Sequence, residues 1–272
     1  MSVRVDYWKR NSIFVPPKNA VHSYRNGMKD LLDKKNIPQH IAVIMDGNGR
    51  WAQKKGAMRI FGHKNALSAV RDTIEGAAEL GVKFLTLYAF STENWSRPKD
   101  EIDALMELLV NSIADETPTM MKNNIRLRAI GNISSLPKGC QTKLQEALSL
   151  TQANTGLNVV LALSYSGRWE LEEAVTQIVK KVEAGQLSSK DISQQVIAAH
   201  LNTSEFPDPE LLIRTSGEIR ISNFLLWQLA YSELYFTEVL WPDFRKEHLY
   251  AAISDYQKRE RRFGKTGDQI NS

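Results

Sequence analysis

The stretch that most constrains this chain is His40-Ile-Ala-Val-Ile-Met-Asp-Gly-Asn-Gly-Arg-Trp51. Ile41 to Met45 is a compact apolar run, the pattern of a buried strand. It empties into Asp46-Gly47-Asn48-Gly49-Arg50, where two glycines let the backbone turn sharply and bring N–H groups close to a ligand. Trp51 to Lys55 can then start a helix. Unpaired N–H groups and the helix dipole make such a start an anion site. Arg50 adds a full positive charge, and Asp46 stands at the mouth of this cationic cup. From there it can hold a divalent metal against a bound diphosphate.

Three other readings of the same residues compete. Gly47-x-Gly49-x-x-Ala52 fits a dinucleotide fingerprint, but that fingerprint needs an acid at the tip of the next strand. The next strand ends in Ala89-Phe90-Ser91, without one. Asp46-x-Asn48 could open an EF-hand, but the twelfth loop position is Ala57, where a glutamate is required. A plain strand-turn-helix with a surface aspartate is the default, and only the rest of the chain can displace it.

Single-domain size is compatible with 272 residues, 42% of them hydrophobic and 24% charged. One cysteine, Cys140, leaves no internal disulfide and no cysteine cluster for zinc, which fits a reducing cytoplasm. No apolar run approaches the ~20 residues that span a bilayer, and the N-terminus has no signal-peptide core. A net charge of +4 is too mild to argue for nucleic acid, so none is expected as a partner.

Residues 1–38 read as an N-terminal arm, polar and partly irregular, with Pro16-Pro17 and Pro38 as breakers and a short helix within 21–35. Residues 39–272 read as one domain. A helix over 65–80 places Ala66, Ala69, Val70, Ile74 and Ala77 on one face, and Gly81 stops it. A second strand, 83–90, exits into Ser91-Thr92-Glu93-Asn94-Trp95-Ser96-Arg97-Pro98. Ser96 there reads as the N-cap of the following helix. That helix, 100–121, carries the stripe Ile102, Leu105, Met106, Leu109 and Ile113. Further strands are expected at 124–130, 157–165, 211–213 and 234–237, and helices at 138–151, 167–184, 192–201 and 247–262. Strands alternating with helices predict an α/β fold: a mostly parallel central sheet of about six strands flanked by helices. Ligands of such sheets sit beyond the carboxyl ends of strands. The Asp46 loop, the Ser91–Arg97 loop and Arg214 should therefore converge.

A second cluster, Arg214-Thr-Ser-Gly-Glu-Ile-Arg-Ile-Ser222, combines arginine forks with hydroxyls, the groups that surround diphosphate oxygens. Glu233 follows inside an apolar run, where a carboxylate needs a cation or a metal as partner. The residues thus offer two anion sites, a carboxylate between them and apolar stripes nearby. That combination suits phosphorylated, greasy molecules.

The segment His40 to Ala52 resembles the signature of the cis-prenyltransferases, the undecaprenyl diphosphate synthase family. The resemblance continues through Phe61-Gly-His-Lys64, Leu87 to Trp95, Arg97-Pro98, Gly167-Arg-Trp169, Arg214 to Glu218, Arg220 to Gln228, Glu233-Leu-Tyr-Phe236, Trp241-Pro-Asp-Phe244 and Arg261-Arg-Phe-Gly264. It spans roughly 39–265. It implies a homodimer with a hydrophobic tunnel that uses Mg²⁺ to condense isopentenyl diphosphate onto an allylic diphosphate, farnesyl diphosphate being the expected starter. Each new double bond is Z, and undecaprenyl diphosphate is the expected product. By this resemblance Asp46 delivers Mg²⁺ and helps the allylic diphosphate leave. Gly47, Asn48, Gly49, Arg50, Arg59 and His63 grip that diphosphate. Arg214, Arg220 and Ser222 hold isopentenyl diphosphate, and Glu233 helps hold the metal. Asn94 assists proton removal. Trp51, Ser91, Thr92, Glu93, Trp95, Arg97 and Ile221 join the substrate site. The 100–121 stripe faces the growing chain, with Ala89 and Leu157 on strands that line the tunnel. The Arg262-Phe-Gly264 tail reaches the partner subunit's site, and release of a greasy product implies transient membrane contact.

Three positions depart from the family pattern. Ser216 and Ser166 stand where glycine is common, and Ile219 stands where some members carry histidine. Two rival functions remain open at this point. One is a non-catalytic partner subunit, a class that typically lacks the first loop, which is whole here. The other is a short- or medium-chain Z-prenyl diphosphate synthase.

Overall fold

The computed structural model describes residues 29–261. The short-helix reading within 21–35 falls mostly outside them, as does the Arg262–Gly264 tail. Six strands pair, all in parallel, in the order β3-β4-β2-β1-β5-β6. They are β1 His40–Ile44, β2 Phe84–Ser91, β3 Arg126–Ile130, β4 Asn158–Tyr165, β5 Leu211–Arg214 and β6 Glu233–Phe236. Helices that lie wholly within the described residues accompany them: α1 Asn48–Lys54, α2 Arg59–Glu79, α3 Lys99–Lys122, α4 Lys138–Thr151, α5 Gly167–Glu183, α6 Gln194–Ala198 and α7 Lys246–Tyr256.

The sheet is buried on both faces, as continuous apolar strands require. Ile41 and Val43 of β1 pack into one core with Leu85, Leu87, α2, α3 and α7, while Ala42 and Ile44 join Val160, Ala162, Leu212 and Phe224 on the opposite face. All of β1 is buried. The last residues ahead of β1 also belong to this body. Leu32 is buried in the first core, and Gln257 donates to the carbonyls of Asp33 and Asn36.

Topology explains where the site falls. From β1 the chain crosses to β2 on one side, whereas from β5, the neighbour on the other side, it goes on to β6. The loops leaving β1 and β5 therefore diverge, opening a crevice at the strands' carboxyl ends.

Most expected elements stand within one to three residues of their places, and four differ in informative ways. α2 begins at Arg59, well before 65, and contains Gly62. A Cβ at Gly62 would lie 2.0 Å from the Asn48 carbonyl oxygen, so this helical glycine is where α1 and α2 touch. Ser96 does not cap α3, whose N-cap is Pro98 without a side-chain bond. Instead a 3₁₀ turn over Thr92–Ser96 is capped by Ser91 and Asn94, and the Ser96 hydroxyl donates back to the Glu93 carbonyl. The helix expected over 192–201 is only Gln194–Ala198, and the last helix ends at Tyr256 instead of 262.

Candidate active site

Asp46 stands just past the end of β1, at the β1/β5 crevice. Its backbone is clamped by Thr215, whose hydroxyl accepts from Asp46 N–H (2.9 Å) and donates to the Asp46 carbonyl (2.7 Å). The carboxylate accepts from Arg214 Nη2 at 2.9 Å and from Arg50 Nη2 at 3.3 Å. Burial pushes this carboxyl's pKa up. The hydrogen bonds from Arg214 and Ser216 and the charges of Arg214 and Arg50 outweigh it, and hold the pKa below the ordinary value. Asp46 is therefore ionised while remaining partly open to the crevice.

Gly47 follows with φ +107°, capping α1 in the left-handed region. A Cβ there would lie 2.9 Å from Leu240 and 3.0 Å from Ser216, so glycine is required twice over, by angle and by space. α1 then carries Arg50 back over the loop. Arg50 donates to the Ser216 carbonyl at 3.0 Å and pairs with Glu218 at 3.1 Å.

The second cluster closes the other side. Arg214 is 3% exposed, and its Nη1 donates to the Ser222 hydroxyl at 2.6 Å and to the Arg220 carbonyl. Its Nε is buried without a partner. Ser216 and Ser222 both adopt positive φ, +79° and +47°. For Ser216 this supplies a backbone reason why glycine suits the position. Arg220 pairs with Glu218 at the rim. Ser166, by contrast, sits at φ −155° and accepts from the Thr92 hydroxyl, and Ile219 is 79% exposed.

A cavity of about 710 Å³ runs inward from this crevice. Its mouth is lined by Asp46, Asn48, His63, Ser91, Glu93, Asn94, Arg97, Arg214, Arg220 and Ser222. Its interior is apolar: Ala66, Val70 and Ile74 of α2; Leu105, Met106, Leu109 and Ile113 of α3; and Leu87, Ala89, Val159, Leu161 and Leu163 of the sheet. The stripe on α3 thus faces the cavity, apart from Ile102. His63 is pushed down to about 4, mainly by burial and then by the Arg97 charge, so it is neutral near pH 7. Its Nδ1 lies 3.4 Å from Asn48 Nδ2.

Ala89 reaches this cavity through a device invisible in the sequence. Between Tyr88↔Ala162 and Phe90↔Leu163, β2 carries one extra residue, and before Ser91↔Tyr165, β4 carries one. The extra residues are Ala89 and Ser164, the latter at φ +48°. Bulges re-aim side chains beside active sites. Here one turns Ala89 into the cavity, and the other presents the Ser164 hydroxyl to Trp95 Nε1 at 2.9 Å.

Several expected site residues do not line the cavity. Trp51 is buried, donating to Asp243 at 2.8 Å and stacking on Phe61. Arg59 is exposed at the start of α2, with its stem beside Gly49. Thr92, Trp95 and Ile221 pack behind the mouth, Trp95 edge-on to Phe90. Leu157 is buried in the core ahead of β4 and does not line the cavity.

Glu233 stands apart from this crevice within the subunit. In the β5/β6 register it faces Leu211, three rows below the Arg214↔Phe236 row, or about 10 Å toward the amino end of the sheet. Its partner is Arg259 at 2.9 Å. The carboxylate in an apolar run did need a cation, and found one, but within the subunit it does not join Asp46. Among the described residues no group of three or more His, Cys, Asp or Glu side chains could by itself hold a metal ion.

Sequence reasoning missed Thr215 as the backbone clamp and Asn223 as a bridge. Asn223 Nδ2 donates to Glu93 at 2.7 Å, and its backbone and side-chain oxygens accept from Gly167 and Arg168 N–H. It ties the Ser91–Arg97 loop to the second cluster. The hydroxyl-rich composition of that cluster was the available signal, but Asp46 and Glu93 lie over a hundred positions from Thr215 and Asn223.

Comparison with known proteins matches the family model described as "Putative undecaprenyl diphosphate synthase" to residues 44–264. The chain belongs to this family, the cis-prenyltransferases. It is 51% identical over 237 residues to the farnesyl-diphosphate-specific ditrans,polycis-undecaprenyl-diphosphate synthase of Vibrio vulnificus, covering 87% of this chain and 94% of that one. It is 51% identical to the isoprenyl transferase of Clostridium tetani, covering 93% and 98%. Among solved structures, lavandulyl diphosphate synthase from Lavandula x intermedia, in complex with dimethylallyl diphosphate, superposes with a TM-score of 0.83 at 39% identity, covering 85% of this chain and all of that one.

Proposed function

We propose that this protein elongates farnesyl diphosphate by successive Z-selective condensation with isopentenyl diphosphate, giving undecaprenyl diphosphate, a lipid carrier for cell-wall sugars. The observation that carries this reading is the join between an arginine-held aspartate and a deep apolar cavity. The 51%-identical relatives named for this activity support it.

In each cycle the allylic carbon–oxygen bond breaks, a carbon–carbon bond forms to the terminal carbon of isopentenyl diphosphate, and one proton leaves the latter. Arg50 and the N–H groups at the start of α1 face the departing diphosphate and stabilise its charge. Arg214, Arg220 and Ser222 hold the second diphosphate, so the two reactants meet head to tail. His63, neutral, hydrogen-bonds without adding charge. Asn94 is the proposed aid to proton removal, and its amide oxygen already accepts from Ser91 N–H at 3.1 Å.

A magnesium ion fits the donor chemistry. Asp46 is an ionised oxygen ligand open to the crevice, and magnesium commonly binds through one or two carboxylates plus substrate phosphates. When bound it would neutralise the leaving diphosphate. Asp46 is its protein ligand in this crevice.

The deep cavity favours a long product over a short one. The non-catalytic reading loses its basis, because the Asp46–Arg50 loop is whole and wired to Arg214. Catalysis is assigned to 39–272, with 1–38 as an arm, in a cytoplasmic homodimer that touches the membrane as product leaves. Among the described residues no helix is long and apolar enough to cross a membrane.

The test is to incubate purified protein with farnesyl diphosphate, radiolabelled isopentenyl diphosphate and magnesium, beside Asp46→Ala and a chelator control, and to size the lipid product. A long Z-polyprenyl product lost in both controls is expected. No product from folded protein would contradict the reading.

A further inference from the structure

The apolar cavity does not simply end. Arg71 of α2 and Glu116 of α3 form an ion pair across the seam between the two helices, with Arg71 Nε and Nη2 both donating to one Glu116 oxygen. These two residues, with Ile74 and Met120, line both the main cavity and a second one of about 500 Å³ behind it. The lining changes character across that boundary. Before it stand Val70, Leu109 and Ile113; beyond it Glu75, Glu79, Asp115, Thr119 and Asn123 join Ala78 and Ile125.

We propose that the Arg71–Glu116 ion pair, with Met120 beside it, is the stop that sets how long a chain the tunnel accepts. This rests on the chain-elongation reading above and names the residues that end elongation.

The physical argument is a change of solvent quality. Each five-carbon unit added at the mouth pushes the tail deeper, and burial against α2 and α3 favours this as long as the walls are apolar. At Arg71–Glu116 the tail meets charged groups. To pass, it must part the pair and strip water from a carboxylate whose side chain is only 18% exposed. Stripping water from a charge is costly unless a partner replaces it, and a hydrocarbon replaces nothing. The space beyond offers little in return, because Glu75 and Glu79 of the second cavity are engaged with Lys246 at 2.8 Å each. Both helices run inward from the mouth, α2 past His63 and α3 just after Arg97. The pair therefore lies across the path of the tail and away from the reacting atoms.

The experiment sizes the products made from farnesyl diphosphate and labelled isopentenyl diphosphate by the parental chain, by Arg71→Leu/Glu116→Leu, and by Arg71→Lys. The double change removes both charges together, so no half-buried carboxylate is left unpaired. The expected result is a shift of the main product upward by one or more five-carbon units, with Arg71→Lys, which keeps the pair, retaining the parental length. Products are sized at equal consumption of isopentenyl diphosphate and one ratio of substrates, so partial loss of protein does not obscure the comparison. If the double variant yields no folded chain, Met120→Ala opens the same boundary without touching charge and is expected to lengthen the product too. Parental or shorter lengths from the active double variant, or from Met120→Ala in its place, would overturn the stop. Absence of any prenyl product from the parental chain would instead overturn the elongation reading beneath it.

Discussion

The crevice at the β1/β5 carboxyl ends and the chamber between α2 and α3 share one continuous cavity but are built on opposite principles. The crevice is crowded with charge, and almost every group has a named partner: Asp46 with Arg214 and Arg50, Arg50 and Arg220 with Glu218, Glu93 with Asn223. The chamber's walls are mostly apolar, and among its described lining residues the ion pair away from the mouth is Arg71 with Glu116. In the proposed reaction, directional contacts suit two diphosphates that must keep one geometry. Non-directional burial holds a tail whose length changes at every turnover. The difference implies a division of labour, with rate set at the crevice and product length in the chamber.

The largest expected effect lies in the crevice. Asp46→Asn keeps the shape but removes the charge between Arg214 and Arg50, and condensation should slow by about a thousand-fold. Single-turnover measurement with magnesium checks this. A rate within about ten-fold of the parent would break the assignment.

Next comes the joint that places the crevice on its helices. Gly62→Ala drives a methyl group into the Asn48 carbonyl, so α1 and α2 must separate. A loss of roughly 2–4 kcal/mol is expected by chemical denaturation, with a fall in affinity for the allylic diphosphate as Asn48 and His63 move apart. Unchanged stability would show that this contact is not the pivot we describe.

A smaller effect follows from pH. His63 has a folded-state pKa lowered to about 4, against 6.5 for a free side chain. The unfolded chain therefore takes up a proton before the folded one does. The contribution of His63 to stability is complete above pH 6.5 and is lost progressively as pH falls toward 4. Asp46 acts in the same direction further down, its contribution disappearing as pH drops through its lowered value. Imidazole chemical shifts should report a His63 midpoint about 4; a midpoint near 6.5 would mean the ring is solvated and the mouth is more open than drawn.

Much of the crevice could be read from the chain because its residues cluster locally. Asp46 to Arg50 is one turn on one strand end, and Arg214 to Ser222 is one loop. Parallel α/β topology then brings strand ends together without further information. What escaped was set by distant pairs and by register. Thr215 clamps a backbone 169 positions away, and Asn223 bridges to Glu93 130 positions away. Glu233, a carboxylate in an apolar run, needed a cation, and strand register decides which one it meets in this subunit: Arg259, three rows from the Arg214 row. The chamber was legible as a stripe on α3, since helical periodicity survives in sequence. The paired bulges at Ala89 and Ser164 were not, because a bulge leaves no mark in composition or period.

The division of labour is tested most directly at Ala89, the bulged residue that opens into the chamber. Ala89→Leu fills that space without touching Asp46, Arg214 or Arg50. Products of this variant and of Asp46→Asn would be sized side by side under one ratio of substrates. The account predicts a shorter product from Ala89→Leu, and product of parental length, made slowly, from Asp46→Asn. Parental length from Ala89→Leu, or a shortened product from Asp46→Asn, would contradict the separation of rate from length.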